Sequence, residues 1–482
     1  MPDFKTLLKY LLILFLILDL SYSFMQYFNM PLDGDMAHII VPAEEFKQVM
    51  QDPLGMDVLL HGESYPNPNR FFAHWASSLY FKTMPLALQS ISEPITSVYL
   101  ASAIAKILIQ FLLIFLLVLY TSNCRRIFDL RFLIPAALII PLFQTVGYSR
   151  YMGVIDQSVI YTFFYALPLA LMLIYYLPVY RMLNGNQNFR LGFVNGVLLT
   201  LLAFILAFSG PLVPAVMIIV NGIVLLRIWF KNIDLKKDGS MVKKILPGLS
   251  NIPFNLAYLL LISLILSLYS IFIGMHNSLN DMTQLSVIDY YTRLPLGLFN
   301  LIAQKLGWPF LIIFVIMNMI IIRKQEPGKE RDQIIHLFNW ILIFTLVYIL
   351  LLPLGGFRWY RPNAIRYDTF IPVTLAFIFI FARSSYYLIN ILKLSSKKIY
   401  VLLIIGFVLF FTINDNPNFG SNACEKEQFE RLSASKENPV ELPGDCTLMS
   451  WEKILDPRDS ELQAELIYYW KITNEKKLYY QK

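Results

Sequence analysis

Two carboxylates one glycine apart, Asp33 and Asp35, follow the first hydrophobic stretch of the chain in the sequence MPLDGDMAH. If this segment is extended, side chains two positions apart point to the same side, so both acids can face one substrate or share a divalent cation. Gly34 lets the backbone approach a partner closely. His38 either orients the acids or is an ordinary polar loop residue. Asp-Gly-Asp is also a common turn sequence, so its position in the fold must decide between a site and a turn.

A second candidate group consists of arginines with aromatic neighbours. The segment PLGGFRWYRPNAIRYD contains three arginines in a span of nine residues. Guanidinium groups bind phosphate through a planar fork, and aromatic rings can hold a lipid or a sugar. We therefore predict phosphate or substrate binding by Arg358, Tyr360, Arg361, Arg366 and Tyr367, joined by Arg70, His74, Arg150 and Arg293 from other loops. The alternative is a structural cluster that pairs with Asp368 and Asp156. We expect His38 and Asp156 to orient the catalytic and binding residues without contacting the substrate.

These residues must be positioned by membrane helices. Of the 482 residues, 57% are hydrophobic and only 15% are charged. Apolar stretches of about 17 to 25 residues match the roughly 30 Å of hydrocarbon in a bilayer. We predict an all-α membrane protein with about eleven transmembrane helices. The stretches are residues 6–27, 95–120, 132–147, 158–181, 192–209, 212–229, 252–274, 308–322, 336–354, 370–391 and 399–413.

Basic residues fix the expected orientation, because Lys and Arg in short loops stay in the cytoplasm. They fall on one side if the N-terminus is cytoplasmic, and the C-terminus is then outside. The net charge of +7 is accordingly a topology signal and a contact with anionic lipid, and nothing in it requires nucleic acid. Segments 28–94, 275–307 and 355–369 become outer loops. If the first stretch is instead a signal peptide cleaved near Ser23, the next loop still lies outside. We expect an integral protein of the plasma membrane, the inner membrane of a bacterium.

The chain divides into a transmembrane part, residues 1–413, and a small periplasmic or extracellular segment, residues 414–482. Cys424 and Cys446 both lie in that outer segment, which predicts a disulfide in an oxidising compartment, with two free thiols as the alternative. The stretch DSELQAELIYYWKI predicts one helix. We find no catalytic motif in this segment and interpret it as a cap.

The first outer loop is predicted to contain two helices, near residues 43–51 and 69–82. On the second helix Arg70, His74 and Ser78 recur every four residues, so they form one polar stripe. A solvated face is the alternative interpretation. A metal site formed by His61, Glu63 and His74 matches no strong ligand spacing.

This layout resembles the GT-C class of membrane glycosyltransferases, which includes protein O-mannosyltransferases, the aminoarabinose transferase of lipid A and oligosaccharyltransferases. The shared features are a first helix followed by a large outer loop with an acidic motif, LDGDMAH, a bundle of about eleven helices, and a later loop rich in Arg and Tyr, GGFRWYRPNAIRYD. The resemblance implies transfer of a sugar from a polyprenyl-phosphate or polyprenyl-diphosphate donor to a glycan, lipid or protein acceptor. It also implies that Asp33 or Asp35 is catalytic.

The residues themselves suit this chemistry. Sugar transfer to a hydroxyl needs a base for the acceptor proton and positive charge for the departing phosphate. Other interpretations remain open: a transporter or flippase of lipid-linked glycans, an O-antigen polymerase or ligase, and a membrane scaffold. A transporter predicts charged residues deep in several helices, and Asp19 and Lys106 are the clearest of these in the sequence. Of the two acids, we favour Asp35 slightly as the base.

Overall fold

The computed structural model of the chain describes residues 3–143, 152–184, 191–232, 252–280, 286–355, 363 and 365–482. Most of these residues are helical. The helices are α1 (Phe4–Phe28), α2 (Met36–Ile40), α3 (Glu44–Gln51), α4 (Met56–His61), α5 (Phe71–Leu88), α6 (Pro94–Ser122), α7 (Leu130–Ile139), α8 (Val159–Leu183), α9 (Phe193–Ala207), α10 (Leu212–Asn232), α11 (Phe254–Gly274), α12 (Val287–Ala303), α13 (Gly307–Arg323), α14 (Lys329–Leu351), α15 (Tyr367–Ile391), α16 (Leu394–Ile413), α17 (Ala423–Ala434) and α18 (Glu461–Tyr469). Short 3₁₀ turns cover Ile140–Phe143, Leu352–Gly355 and Pro457–Ser460, and strands β1 (Val440–Leu442) and β2 (Tyr479–Gln481) form one parallel pair.

Eight helices of the described residues are long and apolar enough to cross a membrane: α1, α6, α8, α10, α11, α14, α15 and α16. Helices α12 and α13 meet this test only as a pair bent by 85°, which gives nine spans if the pair is one span. Two of the predicted stretches form shorter apolar helices, Leu130–Phe143 and Phe193–Ala207. The chain is therefore a helical integral membrane protein, as predicted, whereas the number eleven stays a prediction.

The C-terminal segment packs against the end of α1. The side chain of Asn422 donates to the carbonyl of Phe28 at 2.9 Å, and that of Ser421 donates to the carbonyl of Asn29 at 2.5 Å. The segment thus lies at the end of α1 opposite the N-terminus.

Helices α6, α8 and α15 form the centre of the bundle. In their most apolar windows 67%, 72% and 83% of the residues are buried, against 11% for α1. Helix α6 contacts α1, α5, α7, α8 and α15. A helix that is apolar all round is expected at such a central position.

Two of the central helices begin at the end of the bundle where α1 ends, which we call the site end. Helix α8 begins at Ser158, whose side chain accepts the N–H of Tyr161 at 3.1 Å. Helix α15 begins at Arg366, whose backbone exchanges hydrogen bonds with Thr369. These hydrogen bonds stabilise the first turns of the two helices. A π turn over Thr162–Ala166 follows at once in α8, a distortion frequent at functional sites.

Candidate functional site

Asp33 is held at the start of α8. Its side chain is buried, with one carboxylate oxygen accepting the N–H of Asp35 at 3.1 Å and the other accepting the N–H of Ile160 at 3.3 Å. Ile160 lies in the first turn of α8, where backbone N–H groups attract anions. Burial, with a further contribution from Asp35, raises the pKa of Asp33 to about 6. The first-loop acid therefore lies against a central helix, in a protonation range that suits acid–base chemistry near neutral pH.

Lys106 of α6 connects this acid to a second one. Its side chain is 2% exposed, and its ammonium donates to the carbonyl of Gln157 and to the sulfur of Met30 at 3.4 Å. It interacts electrostatically with both Asp33 and Asp156. Because a buried cation is costly without compensating acids, these partners explain how the bundle accommodates it. The sequence signal was a lone lysine in an apolar stretch, which inside a membrane helix indicates function by default.

Asp156 is the second buried acid. One of its oxygens accepts the N–H of Ser158 at 2.8 Å and the hydroxyl of Tyr367 at 3.5 Å. Among the described residues its other oxygen has no hydrogen-bond donor. Burial, reinforced by Asp368, raises the pKa of Asp156 to about 7. Asp156 was expected to support the site, and it lies within electrostatic reach of Lys106 and Arg366.

Arg366 pairs with the fully buried Asp368 two residues away, with Nε 2.9 Å from the carboxylate. Its guanidinium carbon lies 4.9 Å from the ring centre of Tyr161 and 5.8 Å from that of Tyr367. The structural pairing considered from the sequence is thus present. The Arg366 side chain nevertheless keeps 22% of its surface exposed, so this pair does not bury the guanidinium completely.

Asp35 contacts the C-terminal segment. The indole Nε1 of Trp451 donates to its carboxylate at 2.9 Å, and the Trp451 ring stacks on Tyr161 with centres 6.3 Å apart. A Cβ on Gly34 would lie 2.5 Å from the backbone nitrogen of Trp451, so the close approach requires glycine. Unlike Asp33, Asp35 is partly exposed. The sequence interpretation of residues 414–482 as a cap without a catalytic motif missed Trp451.

Glu425 anchors the same segment. Its buried carboxylate accepts the N–H of Leu32 at 2.9 Å and the hydroxyl of Tyr99 at 2.6 Å. Burial raises the pKa of Glu425 to about 7 against the opposing effect of the Tyr99 hydrogen bond. The adjacent Cys424 forms a disulfide with Cys446, with Cα atoms 6.1 Å apart. Glu425 therefore attaches the segment to the start of the Asp-Gly-Asp loop, and the disulfide cross-links the segment internally.

Arg70 and His74 flank α8 further along. The Arg70 guanidinium lies 4.8 Å from the ring centre of Phe164 and 6.0 Å from that of Tyr165. His74 is completely buried and stacks on Phe164 with centres 5.1 Å apart. Burial and the nearby Arg70 lower the pKa of His74 to about 3, so its ring is neutral. That surrounding favours packing over phosphate binding for His74, whereas Arg70 stays a candidate.

The remaining predicted residues are less informative. His38 lies partly exposed on α2, and Arg293 lies partly buried on α12. Arg150, Arg358, Tyr360 and Arg361 lie outside the described residues. Among the residues that are described, no three His, Cys, Asp or Glu side chains are grouped as a metal site requires.

The site therefore gathers side chains from six parts of the chain: the first loop, α5, α6, the start of α8, the start of α15 and the C-terminal segment. It combines four buried acids, one partly exposed acid and three cations with several aromatic rings: Asp33, Asp156, Asp368 and Glu425; Asp35; Lys106, Arg70 and Arg366; and Tyr161, Phe164, Tyr367 and Trp451. No family model or curated protein matches the chain. The resemblance to the GT-C class accordingly stays a prediction from the sequence.

Proposed function

We propose that this protein is a membrane glycosyltransferase that moves a sugar from a polyprenyl-phosphate or polyprenyl-diphosphate donor to an acceptor. The reaction takes place at the outer face of the plasma membrane, with the N-terminus in the cytoplasm and the site end outside. The observation that carries the proposal is the convergence of Asp33 and Asp35 with Arg366 across Tyr161, although more than 300 residues separate them along the chain.

In this proposal Asp35 is the general base, because it is the more exposed of the two acids. Its carboxylate takes the proton of the acceptor hydroxyl while the acceptor oxygen bonds to the anomeric carbon of the sugar. The bond between that carbon and the donor phosphate oxygen breaks, and the electron pair leaves with the phosphate. The guanidinium of Arg366 stabilises the charge that develops there.

Asp33 and Lys106 act as positioning residues. Asp33 accepts the N–H of Asp35 and thereby fixes the Asp-Gly-Asp loop against α8. Lys106 interacts electrostatically with both Asp33 and Asp156, and its positive charge offsets the repulsion of several acids in one site. The two residues keep Asp35 oriented without contacting the substrate themselves.

The test is deletion of the gene in its source organism, followed by mass spectrometry of polyprenyl-linked sugars and envelope glycans. We expect an unmodified acceptor and an accumulated lipid-linked sugar. Complementation with wild type should reverse both changes, whereas Asp35→Asn and Arg366→Ala should not. Arg383→Ala is the matched control. Arg383 also pairs with an acid, Glu330, but it lies towards the far end of α15 from Arg366. Full rescue by Asp35→Asn and Arg366→Ala, at expression equal to wild type, would contradict the proposal.

A transporter of lipid-linked glycans is the second candidate. It is favoured by two ionisable residues buried inside predicted spans, Lys106 in α6 and Asp19 in α1. Purified protein in liposomes that contain a fluorescent polyprenyl-phosphate sugar separates the two functions. A transporter moves the lipid between leaflets and leaves it intact, whereas a transferase consumes it when an acceptor is present.

A further inference from the structure

We propose that Trp451 and Tyr161 form an aromatic subsite that binds the pyranose ring of a sugar beside Asp35. The C-terminal segment then supplies part of the binding site. This inference rests on the proposed function only in taking a sugar to be the ligand.

The geometry of Trp451 differs from that of an ordinary packing residue. One of its faces is stacked on Tyr161 at an interplanar angle of 28°, and yet 60% of its surface is exposed. Buried tryptophans such as Trp308 and Trp470 are 2% and 0% exposed. The exposed part of the indole is therefore available to a ligand while Tyr161 supports the ring.

The position of the ring is fixed from several directions. Nε1 of the indole donates to Asp35, and the backbone of Trp451 lies against Gly34. The preceding residues are held by the Cys424–Cys446 disulfide and by the contact of the Met449 N–H with Glu425 at 3.4 Å. A preorganised ring loses little conformational freedom when a ligand binds.

The chemistry around the ring suits a sugar. One face of a pyranose carries C–H groups and packs on an aromatic surface, while its hydroxyls need acceptors such as the Asp35 carboxylate. Arg366, on the same Tyr161 ring, supplies positive charge for a phosphate attached to that sugar. An isolated lipid chain would satisfy the aromatic surface but not the carboxylate, and this asymmetry favours a sugar.

The experiment measures sugar binding to the full-length protein in detergent, separately from transfer. The probe is a panel of methyl pyranosides of glucose, mannose, galactose and N-acetylglucosamine, with sorbitol as an acyclic control that has hydroxyls but no ring face. Tryptophan fluorescence and saturation-transfer NMR report binding. The variants are Trp451→Phe and Trp451→Ala, and Trp75→Phe is the matched control because Trp75 is another half-exposed tryptophan, 47% exposed, on α5.

We expect at least one pyranoside to change the fluorescence of the wild type and of Trp75→Phe, while sorbitol does not. The change should disappear in Trp451→Phe, in which NMR still detects binding because phenylalanine can also stack. Trp451→Ala should weaken that binding roughly tenfold or more. The thermal unfolding temperature and the intact disulfide show whether each variant is folded.

Three results would overturn the inference: no pyranoside binds the wild type, the fluorescence change persists in Trp451→Phe, or a folded Trp451→Ala binds as tightly as the wild type. If Trp451→Ala does not fold, the comparison of Trp451→Phe with Trp75→Phe still decides. If the sugar binds at Trp451 while deletion of the gene leaves all glycans unchanged, the subsite stands and the proposed transfer reaction is wrong.

Discussion

The first loop contains two buried acids, Asp33 and Asp52, both 6% exposed. Asp52 accepts three short hydrogen bonds: the N–H of Met56 at 2.7 Å, the N–H of Asp57 at 2.9 Å and the hydroxyl of Tyr65 at 2.8 Å. All three donors belong to residues 56–65, so Asp52 holds together the segment that follows it. Asp33 instead accepts longer bonds from the N–H groups of Asp35 and Ile160, at 3.1 and 3.3 Å, and faces Asp35.

In our proposal the difference separates an acid that only holds its own segment together from one that positions the base Asp35. A buried carboxylate with a full set of donors stabilises its surroundings, and its removal leaves donors without partners. A buried carboxylate beside another acid and a lysine is kept at a cost in stability, which is typical of functional sites. Burial alone therefore does not distinguish Asp33 from Asp52, whereas the lengths of their hydrogen bonds and the charged groups beside Asp33 do.

The largest expected effect comes from replacing the acids of the site. Asp35→Asn should lower the rate of sugar transfer by roughly 10²- to 10⁴-fold, because the acceptor proton loses its base. Asp52→Asn should leave the rate per folded molecule nearly unchanged and reduce stability by about 1 to 3 kcal/mol. Transfer to acceptor by the purified variants, together with thermal unfolding, measures both quantities. Equal activity losses in the two variants would contradict the distinction between the Asp33–Asp35 loop and the Asp52 segment.

Lys106→Met should have the next largest effect. It leaves the buried Asp33 and Asp156 without the cation with which both interact, so we expect the variant to unfold at a lower temperature than the wild type. Addition of Asp156→Asn to this variant should recover much of the lost stability, because one buried acid is then neutral. A double-mutant cycle by thermal unfolding measures the coupling. Additive effects of the two substitutions would show that Lys106 and Asp156 do not interact.

The pH dependence of stability gives a smaller effect. Burial raises the pKa of Asp33 to about 6 and that of Asp156 to about 7, whereas an aspartate in the unfolded chain titrates near 4. The folded protein therefore binds more protons than the unfolded chain between about pH 4 and 7, and its stability falls as the pH rises through that window. Unfolding temperatures should be higher at about pH 5 than at about pH 8, and Asp156→Asn should reduce this difference. If the unfolding temperature of Asp156→Asn differs more between about pH 5 and about pH 8 than that of the wild type, the pKa of Asp156 is not raised by folding.

Much of this arrangement could be predicted from the sequence. Long apolar stretches identify membrane helices, since the bilayer imposes their length, and the position of Asp33 and Asp35 after α1 singled out the acidic loop. The bend between α12 and α13 could not be predicted, because hydropathy does not report direction. Lys106 could be recognised in the sequence as a lone charge in an apolar stretch. The acids with which it interacts, Asp33 and Asp156, could not be assigned to it, because they lie in loops that are distant along the chain.

The contribution of the C-terminal segment was hidden for a different reason. Trp451 lies in a polar stretch without periodicity, and its contact with Asp35 spans more than 400 residues of the chain. Gly34 gave a partial signal, since a glycine between two acids suggests a close backbone approach. The sequence does not say what approaches, because tertiary contacts of this kind depend on the packing of the whole bundle.

The smallest expected effect tests the structural half of the comparison. Tyr65→Phe removes the hydroxyl that donates to Asp52 at 2.8 Å and keeps the ring, which is 2% exposed. We expect a loss of about 1 to 2 kcal/mol of stability, because a buried carboxylate loses one of three donors, and no change in the transfer rate at a temperature where the variant is folded. Chemical or thermal unfolding and the transfer assay measure the two quantities side by side.

A loss of transfer that exceeds the loss of folded protein would mean that the Asp52 segment also serves the site. Tyr65 lies in the same loop as Arg70, and its backbone pairs with that of Asn277 near the end of α11. The loop from 30 to 70 would then act as one functional unit instead of a functional turn followed by a structural one.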